Sequence, residues 1–275
     1  MAIDKSIDST QLDADLASVA DAIRTKGGTS AQLAFPADFV QAIEDIETGG
    51  GGVTIDEIAT RNFPDSITIN VDITSKAFAY ANTKNVTIAS GKKINSDAFL
   101  GSTVETVYAP LLTAVGDADS AFFNCSKLHT IEYGAQSIGG NTFNGCGSLT
   151  SASFKNATTL YTSALKNCSK LPALDLPKLT GIIRQNAFNG CSSLKTLVLR
   201  NSVVAKLSDI NNFTNTPFAS GGTGGTLYVP QALISEYQAA TNWSTILGYA
   251  NNQILPIEGS IYETQYVDGT PIPTT

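Results

Sequence analysis

Charged residues are scarce in this chain: Asp, Glu, Lys and Arg make up 15% of it, while 42% of the residues are apolar. Histidine occurs once, as His129. A nucleophile–histidine pair therefore has only one candidate base, and His129 sits between core positions of a repeat, which favours a half-buried filler role. No Gly-Lys-Ser/Thr loop is present, so a phosphate-binding loop is excluded. These absences disfavour the common catalytic classes.

Positive charge is also lacking. The formal net charge is −7, which argues against nucleic acid and anionic membrane surfaces as partners. No apolar run approaches the roughly 18 residues of a membrane span, so membrane insertion is not expected. The N-terminus lacks a basic segment followed by an apolar one, and we expect the chain as given to be made and left in a cytoplasm.

What the chain does have is a repeat. One copy runs from Ala121 to Tyr133 and has the form Ala-Phe-x-x-Cys-x-x-Leu-x-x-Leu-x-Leu. Its first apolar anchor returns at positions 78, 99, 122, 143, 165 and 188, in steps of 21 to 23 residues. A near-constant step of that size is the length of a leucine-rich repeat.

Each repeat ends in a short alternating stretch that predicts a strand. The predicted strands are Val86–Ile88, Val107–Ala109, Ile131–Tyr133, Ala152–Phe154, Leu174–Leu176 and Leu197–Leu199. Strands at the same position of successive coils stack into a parallel sheet. The predicted fold is therefore a leucine-rich-repeat solenoid with one strand per coil and about six to seven coils, preceded by a small α-helical module.

The four cysteines follow the repeat, at Cys125, Cys146, Cys168 and Cys191, and none belongs to a Cys-x-x-Cys pair. A linear ladder of this kind does not converge on a tetrahedron, so a zinc site is not expected. We predict a column of small buried thiols. No metal or cofactor is predicted.

The residues between the inward-facing strand positions are the candidates for ligand binding. They are Tyr108, Glu132, Ser153, Asp175 and Val198, with Lys155 and Arg200 near the edge of the sheet. The alternative is that this face is simply the solvated side of a sheet. Glu132 and Asp175 lie two coils apart, but no aromatic cleft surrounds them, so no catalytic residues are predicted.

The first 48 residues differ in character from the rest, because they hold nine acidic residues against three basic ones. Two amphipathic helices are predicted, over about 10–26 and 36–46. Helices this short cannot bury both apolar stripes against each other, so the stripes are expected to contact sister chains or a larger assembly. The attachment candidates are Leu12, Leu16, Val19, Ile23, Phe39, Val40 and Ile43.

The repeat pattern looks like the BspA-type, or Treponema-type, leucine-rich repeat over roughly residues 76–200. That resemblance implies a curved solenoid used for binding, in a family found in bacterial surface adhesins, protist surface proteins and phage-encoded proteins. Residues 201–258, with Tyr237 and Trp243, resemble the C-terminal cap of such proteins, in which the tryptophan covers the last coil. Residues 259–275 follow as a polar tail that is either flexible or adds an edge strand.

A second resemblance lies at residues 23–43, within a segment of residues 10–48 that is similar to the leading part of minor tail or tail-fibre proteins of phages and prophages. It implies an attachment module that carries a replaceable tip. The predicted organisation is a helical attachment or oligomerisation module (1–48), a glycine-rich linker (49–54), the repeats (55–200), the cap (201–258) and the tail (259–275).

The leading hypothesis is a non-enzymatic phage or prophage tail protein, made in a bacterial cytoplasm and delivered to the virion tail. Residues 10–48 would dock on a tail or baseplate protein or on sister chains, with a homotrimer as one arrangement. The solenoid would bind a host surface glycan or protein. The alternatives are a BspA-like adhesin on the bacterial cell surface and, less favoured, a glycan-active enzyme.

Overall fold

The computed structural model describes residues 63–89, 91–114 and 119–273. The predicted helical module and the glycine linker lie outside these residues and stay predictions. Among the described residues, no helix is long and apolar enough to cross a membrane.

The described residues hold fifteen strands, two short helices and three 3-10 helices. The bounds of the strands are β1 Ser66–Ile69, β2 Asn85–Ile88, β3 Lys92–Lys93, β4 Thr106–Ala109, β5 Leu112–Ala114, β6 Thr130–Tyr133, β7 Ser137–Ile138, β8 Ser151–Ser153, β9 Thr159–Leu160, β10 Ala173–Leu176, β11 Ile182–Ile183, β12 Thr196–Leu199, β13 Lys206–Leu207, β14 Thr226–Val229 and β15 Gln253–Pro256. Two short helices, α1 (Ile234–Ala239) and α2 (Trp243–Leu247), lie between β14 and β15. Three 3-10 helices span Ile210–Phe213, Gln231–Leu233 and Ile261–Glu263.

The main strands stack in parallel, one from each coil. They form two sheets, β1-β2-β4-β6-β8 and β10-β12-β14-β15. The six strands predicted from the repeat are β2, β4, β6, β8, β10 and β12, and each contains or overlaps its predicted span. The parallel solenoid is therefore confirmed. β15 pairs in parallel with β14 and adds one more strand to the second sheet.

The second half of several coils forms a smaller parallel sheet. Its order is β13-β11-β9-β7, and β3 pairs with β5 in the earlier coils. These short strands carry apolar residues, such as Leu112 in β5 and Ile182 in β11.

The main sheet is interrupted between β8 and β10. At most coil junctions along the sheet, the two residues that open a strand donate their N–H groups to one carbonyl of the preceding coil, as Thr150 and Ser151 do to the oxygen of His129. The corresponding residue before β10 is Pro172, which has no N–H to donate. We attribute the break in the sheet to this proline.

The core is a stack of identical positions. The rings of Phe78, Phe99, Phe122 and Phe143 lie nearly parallel, with centroids 5.0, 5.0 and 5.4 Å apart along the column. Burial of this column and of the leucine positions beside it is the main stabilising contribution, since apolar area removed from water contributes about 25 cal/mol per Å².

Two further columns explain the asparagines and glycines of the repeat. The residues two places before and two places after each anchor adopt positive φ. The later column consists of Tyr80, Gly101, Asn124, Gly145, Asn167, Gly190 and Asn215. Asn and Gly tolerate the left-handed region better than other residues, so all six coils that follow the coil of Tyr80 carry one of them at this position for a local backbone reason.

Both ends of the solenoid core are covered. Phe63 packs on Phe78 with ring centroids 5.0 Å apart. At the other end Trp243 is fully buried 5.8 Å from Phe213, and its indole N–H donates to the carbonyl of Ala205 at 2.7 Å. The tryptophan thus covers the last coil, as the resemblance implied.

Candidate functional site

The outward positions of the main strands form one continuous surface, which we call the strand face. In-register pairing places Thr68, Thr87, Tyr108, Glu132 and Ser153 side by side in the first sheet. The same pairing aligns Asp175, Val198, Tyr228 and Leu255 in the second sheet. The predicted site residues therefore share one surface, but the two halves of that surface differ.

The first half is open, and we call the concavity over it the open groove. The groove has a volume of about 580 Å³ and is lined by Thr87, Tyr108, Glu132, Ser153, Lys155 and neighbouring backbone. The Tyr108 side chain is 53% exposed, whereas Glu132, Ser153 and Lys155 are half-buried. The structure thus brings four of the predicted residues together around an aromatic side chain.

A second concavity of about 450 Å³ adjoins the open groove beyond Leu111, which is 56% exposed. The two concavities share Leu111, Gly134 and Asn156. Asn156 is fixed from both ends, because its amide donates to the carbonyl of Gly134 at 3.1 Å and its oxygen accepts from Lys178 at 2.9 Å. Shape here is set by Gly134: a Cβ added to it would lie 1.7 Å from the carbonyl oxygen of Pro110.

The second half of the strand face is covered. Asp175 is only 5% exposed and Val198 is fully buried, although both point away from the core. The cover is the C-terminal segment, residues 258–273. The Tyr262 ring packs edge-on against Tyr228, with centroids 4.7 Å apart.

Arg200 joins this segment to the sheet. Its Nε donates to both oxygens of Asp175 at 3.0 and 2.9 Å, and its Nη2 donates to Asp175 Oδ2 at 2.6 Å. The same guanidinium donates to the carbonyls of Tyr262 and, at 2.8 Å, of Gln265. Burial raises the pKa of Asp175 above its ordinary value, although Arg200 acts in the opposite direction.

Two of the predicted site residues do not face solvent, and their role in ligand binding stays a prediction. Val198 and Asp175 lie beneath the C-terminal segment, and Arg200 uses its donors within the chain. The segment itself was expected to be a flexible tail or an edge strand. It instead folds onto the strand face through a 3-10 helix and a short antiparallel turn, in which Gln265 bridges to Pro271.

Sequence reasoning missed Tyr262 and Tyr266 as parts of this surface. The Tyr266 ring lies between two cations, 5.0 Å from Lys155 Nζ and 5.3 Å from the Arg200 guanidinium. The only sequence signal was the presence of two tyrosines in an otherwise polar tail. The attachment candidates at residues 10–48 lie outside the described residues.

The thiol column is confirmed and has a further regularity. All four cysteines are free and fully buried. Each Sγ contacts a backbone carbonyl of the preceding coil. The distance is 3.0 Å from Cys125 Sγ to the Phe99 oxygen and 3.1 Å from Cys191 Sγ to the Leu165 oxygen. Burial raises the pKa of Cys125 to about 12. Within the described ranges, no group of three or more His, Cys, Asp or Glu side chains could hold a metal ion.

Comparison with known proteins agrees with this geometry. The family model of the BspA type leucine rich repeat region matches in six copies, over residues 71–195 and 118–219. The match begins at residue 71, so it does not bear on the resemblance at residues 23–43. Among curated protein sequences, none is significantly similar to this chain.

Two solved structures are similar. A leucine-rich repeat protein from Bacteroides ovatus ATCC 8483 is 21% identical with a TM-score of 0.41, covering 71% of this chain and 47% of that one. A leucine rich cell surface protein from Faecalibacterium prausnitzii A2-165 is 16% identical with a TM-score of 0.36, covering 62% of this chain and 46% of that one. The chain thus spans about half the length of these structures. With six repeat copies across more than half of its length, the chain belongs to the BspA-type leucine-rich-repeat family.

Proposed function

We propose that this chain is a non-enzymatic binding protein of the cell-surface adhesin kind, and that its open groove binds a carbohydrate presented outside the cell. The observation that carries the proposal is the groove of about 580 Å³ around the exposed Tyr108 ring. Membership of the BspA-type repeat family and the similarity to a cell surface protein also support a binding role at a cell surface.

The chemistry of the groove suits a sugar. A pyranose presents apolar C–H groups on one face and hydroxyls around its rim. Tyr108 offers an aromatic surface, Glu132 offers acceptors, and Lys155 offers donors. The Ser153 hydroxyl lies buried beneath the groove and has no hydrogen-bond partner within the described residues, so it is not counted among the groups that would meet a sugar. A groove this open to solvent favours weak, multivalent attachment.

A hydrolytic role has less support. Glu132 faces the groove, but the next candidate carboxylate, Asp175, is covered and paired with Arg200. Glycoside cleavage requires two carboxyl groups that both reach the scissile bond.

The test is binding of the purified full chain to immobilised bacterial cell-wall polysaccharides and mucin glycans. We expect Tyr108→Ala to weaken binding at least tenfold, because stacking on the ring is lost. The matched control is Tyr161→Ala, which removes an exposed tyrosine that packs on Arg184 away from the groove. Equal binding by both variants and the wild type would refute the groove as the site, and binding to a protein but to no glycan would refute the ligand class.

A phage or prophage tail protein is the second proposal, since residues 23–43 resemble the leading segment of such proteins. In that case residues 10–48 dock on a tail or baseplate protein or on sister chains. The solution mass of the full chain tests assembly with sister chains. A trimer that Leu16→Glu converts to monomers supports that assembly, and a monomer at every concentration contradicts it.

A further inference from the structure

The C-terminal segment, residues 258–273, is a feature that neither the repeat nor the groove explains. It leaves the solenoid after Ile257, whose N–H still donates to the Val229 carbonyl, and it crosses the second half of the strand face. Its contacts with the sheet include the Tyr262–Tyr228 ring pair and a hydrogen bond between Tyr262 and Thr196. They also include the Arg200 hydrogen bonds and a hydrogen bond between the Val267 backbone and Asp175.

These contacts have the form of peptide recognition. One guanidinium, held in place by Asp175, donates to two backbone carbonyls three residues apart, those of Tyr262 and Gln265. Two aromatic side chains lie four residues apart in the segment. Tyr262 packs against Tyr228, and the Tyr266 ring contacts the cations of Lys155 and Arg200. Carbonyl recognition gives affinity that any backbone could share, while the aromatic positions give selectivity.

The segment has the character of a ligand and not of core. Every residue from Glu258 to Pro273 is exposed or half-buried, and none is buried. Its fold is largely its own: Ser260 caps the 3-10 helix, Tyr266 N–H donates to Thr270, and Ile272 N–H donates to Thr264. Gly259 joins it to the solenoid at φ +78°, with no atom within 4 Å of where a Cβ would be.

The sheet beneath it is complete without it. Strands β10, β12, β14 and β15 pair with one another through their own backbones, and Trp243 closes the core end. What the segment covers is a surface with an apolar residue, Val198, a tyrosine, Tyr228, and the Asp175–Arg200 pair.

We propose that the covered half of the strand face is a peptide-binding site, and that residues 258–273 are its resident, displaceable ligand in cis. Displacement would join the covered half to the open groove, because Tyr266 contacts Lys155, which lines that groove. An external peptide that fits the site would carry two aromatic residues four apart on a turned backbone. The inference does not depend on the ligand of the open groove.

The test uses the full chain and a fluorescently labelled synthetic peptide of residues 258–273. In the Tyr262→Ala/Tyr266→Ala variant the cis ligand is weakened while the sheet side of the site is intact. We expect the labelled peptide to bind this variant at least tenfold more tightly than the wild type, in which the cis segment competes at high effective concentration. Adding Arg200→Ala to the double variant should abolish the binding.

The matched control is Ile261→Ala, in the same segment but 68% exposed, which should behave as the wild type. Two outcomes would overturn the proposal. The first is a peptide that binds neither the double variant nor the wild type. The second is a double variant whose Trp243 fluorescence shows an unfolded cap, since the segment would then be part of the scaffold.

Discussion

Replacing Gly134 by alanine should be among the most damaging single-methyl changes in the described solenoid. Gly134 directly follows β6 and lies against the turn after β4, where its N–H donates to the Ala109 carbonyl at 2.8 Å. A Cβ there would lie 1.7 Å from the Pro110 oxygen, 2.2 Å from the Pro110 carbonyl carbon and 2.8 Å from the Leu111 nitrogen. All three are backbone atoms, so no side chain can rotate away to make room.

The relief must come from separating two coils by more than 1 Å. That movement breaks the Gly134–Ala109 hydrogen bond, whose net contribution is about 1 kcal/mol, and stretches the β4–β6 ladder beside it. Loosened packing under the neighbouring core positions adds about 1–3 kcal/mol, the usual cost of overpacking. We therefore expect Gly134→Ala to destabilise the folded solenoid by about 3 kcal/mol.

The assay is urea unfolding followed by far-ultraviolet circular dichroism and by the fluorescence of Trp243, which reports on the cap. The control is Gly147→Ala, where the added Cβ would meet its nearest neighbours at 3.6 and 3.8 Å, ordinary contact distances. It should change stability by less than about 0.5 kcal/mol. A Gly134→Ala variant that unfolds at the same urea concentration as the control would refute the close approach of the two coils.

Two further predictions concern the core columns. Phe122→Ala should cost about 4 kcal/mol in urea unfolding, because the ring stacks 5.0 Å from Phe99 and 5.4 Å from Phe143, whereas Phe122→Leu should cost about half as much, since leucine is the natural residue at 165 in this column; a Phe122→Leu variant as stable as the wild type would contradict stacking as a contribution. Burial raises the pKa of Cys125 from 9.0 to about 12. The buried thiol therefore contributes its full stabilisation below about pH 9. This stabilisation is lost as the pH rises towards 12, because the thiol of the unfolded chain ionises before that of the folded protein. Between pH 7 and pH 10 the unfolding free energy should therefore fall by on the order of 1 kcal/mol on account of Cys125, and Cys125→Ser should reduce that fall; a pH-independent difference between the two proteins would contradict it.

The scaffold could be predicted because its information is local and repeated. Phe122, Cys125, Leu128, Ile131 and Tyr133 each recur at the same place in neighbouring coils, so a single period identifies them all as core. The sheet interruption at Pro172 was also readable in principle, since a proline at that position removes a specific inter-coil donor.

The left-handed columns were harder to predict. Asparagine and glycine alternate at one position of the repeat, in Asn124, Gly145, Asn167 and Gly190. The shared property is a positive φ, which links two residue types that differ in size and polarity. Tyr80 occupies the first place in the same column at φ +61°, which a composition rule would have missed.

The covered half of the strand face could not be predicted from the repeat at all. Alternation along a strand fixes which side chains point away from the core, and it did so correctly for Asp175 and Val198. It does not fix whether they meet water, because that depends on a segment more than 60 residues further along the chain. An apolar residue at an outward position, Val198, was the one local sign that something covers it, since the other outward positions of the predicted site carry Tyr, Glu, Ser and Asp. An apolar residue at an outward position of a solenoid strand is therefore better evidence that another segment covers the face than that a ligand binds there. That covering segment should be sought first among the chain's own non-repeating residues.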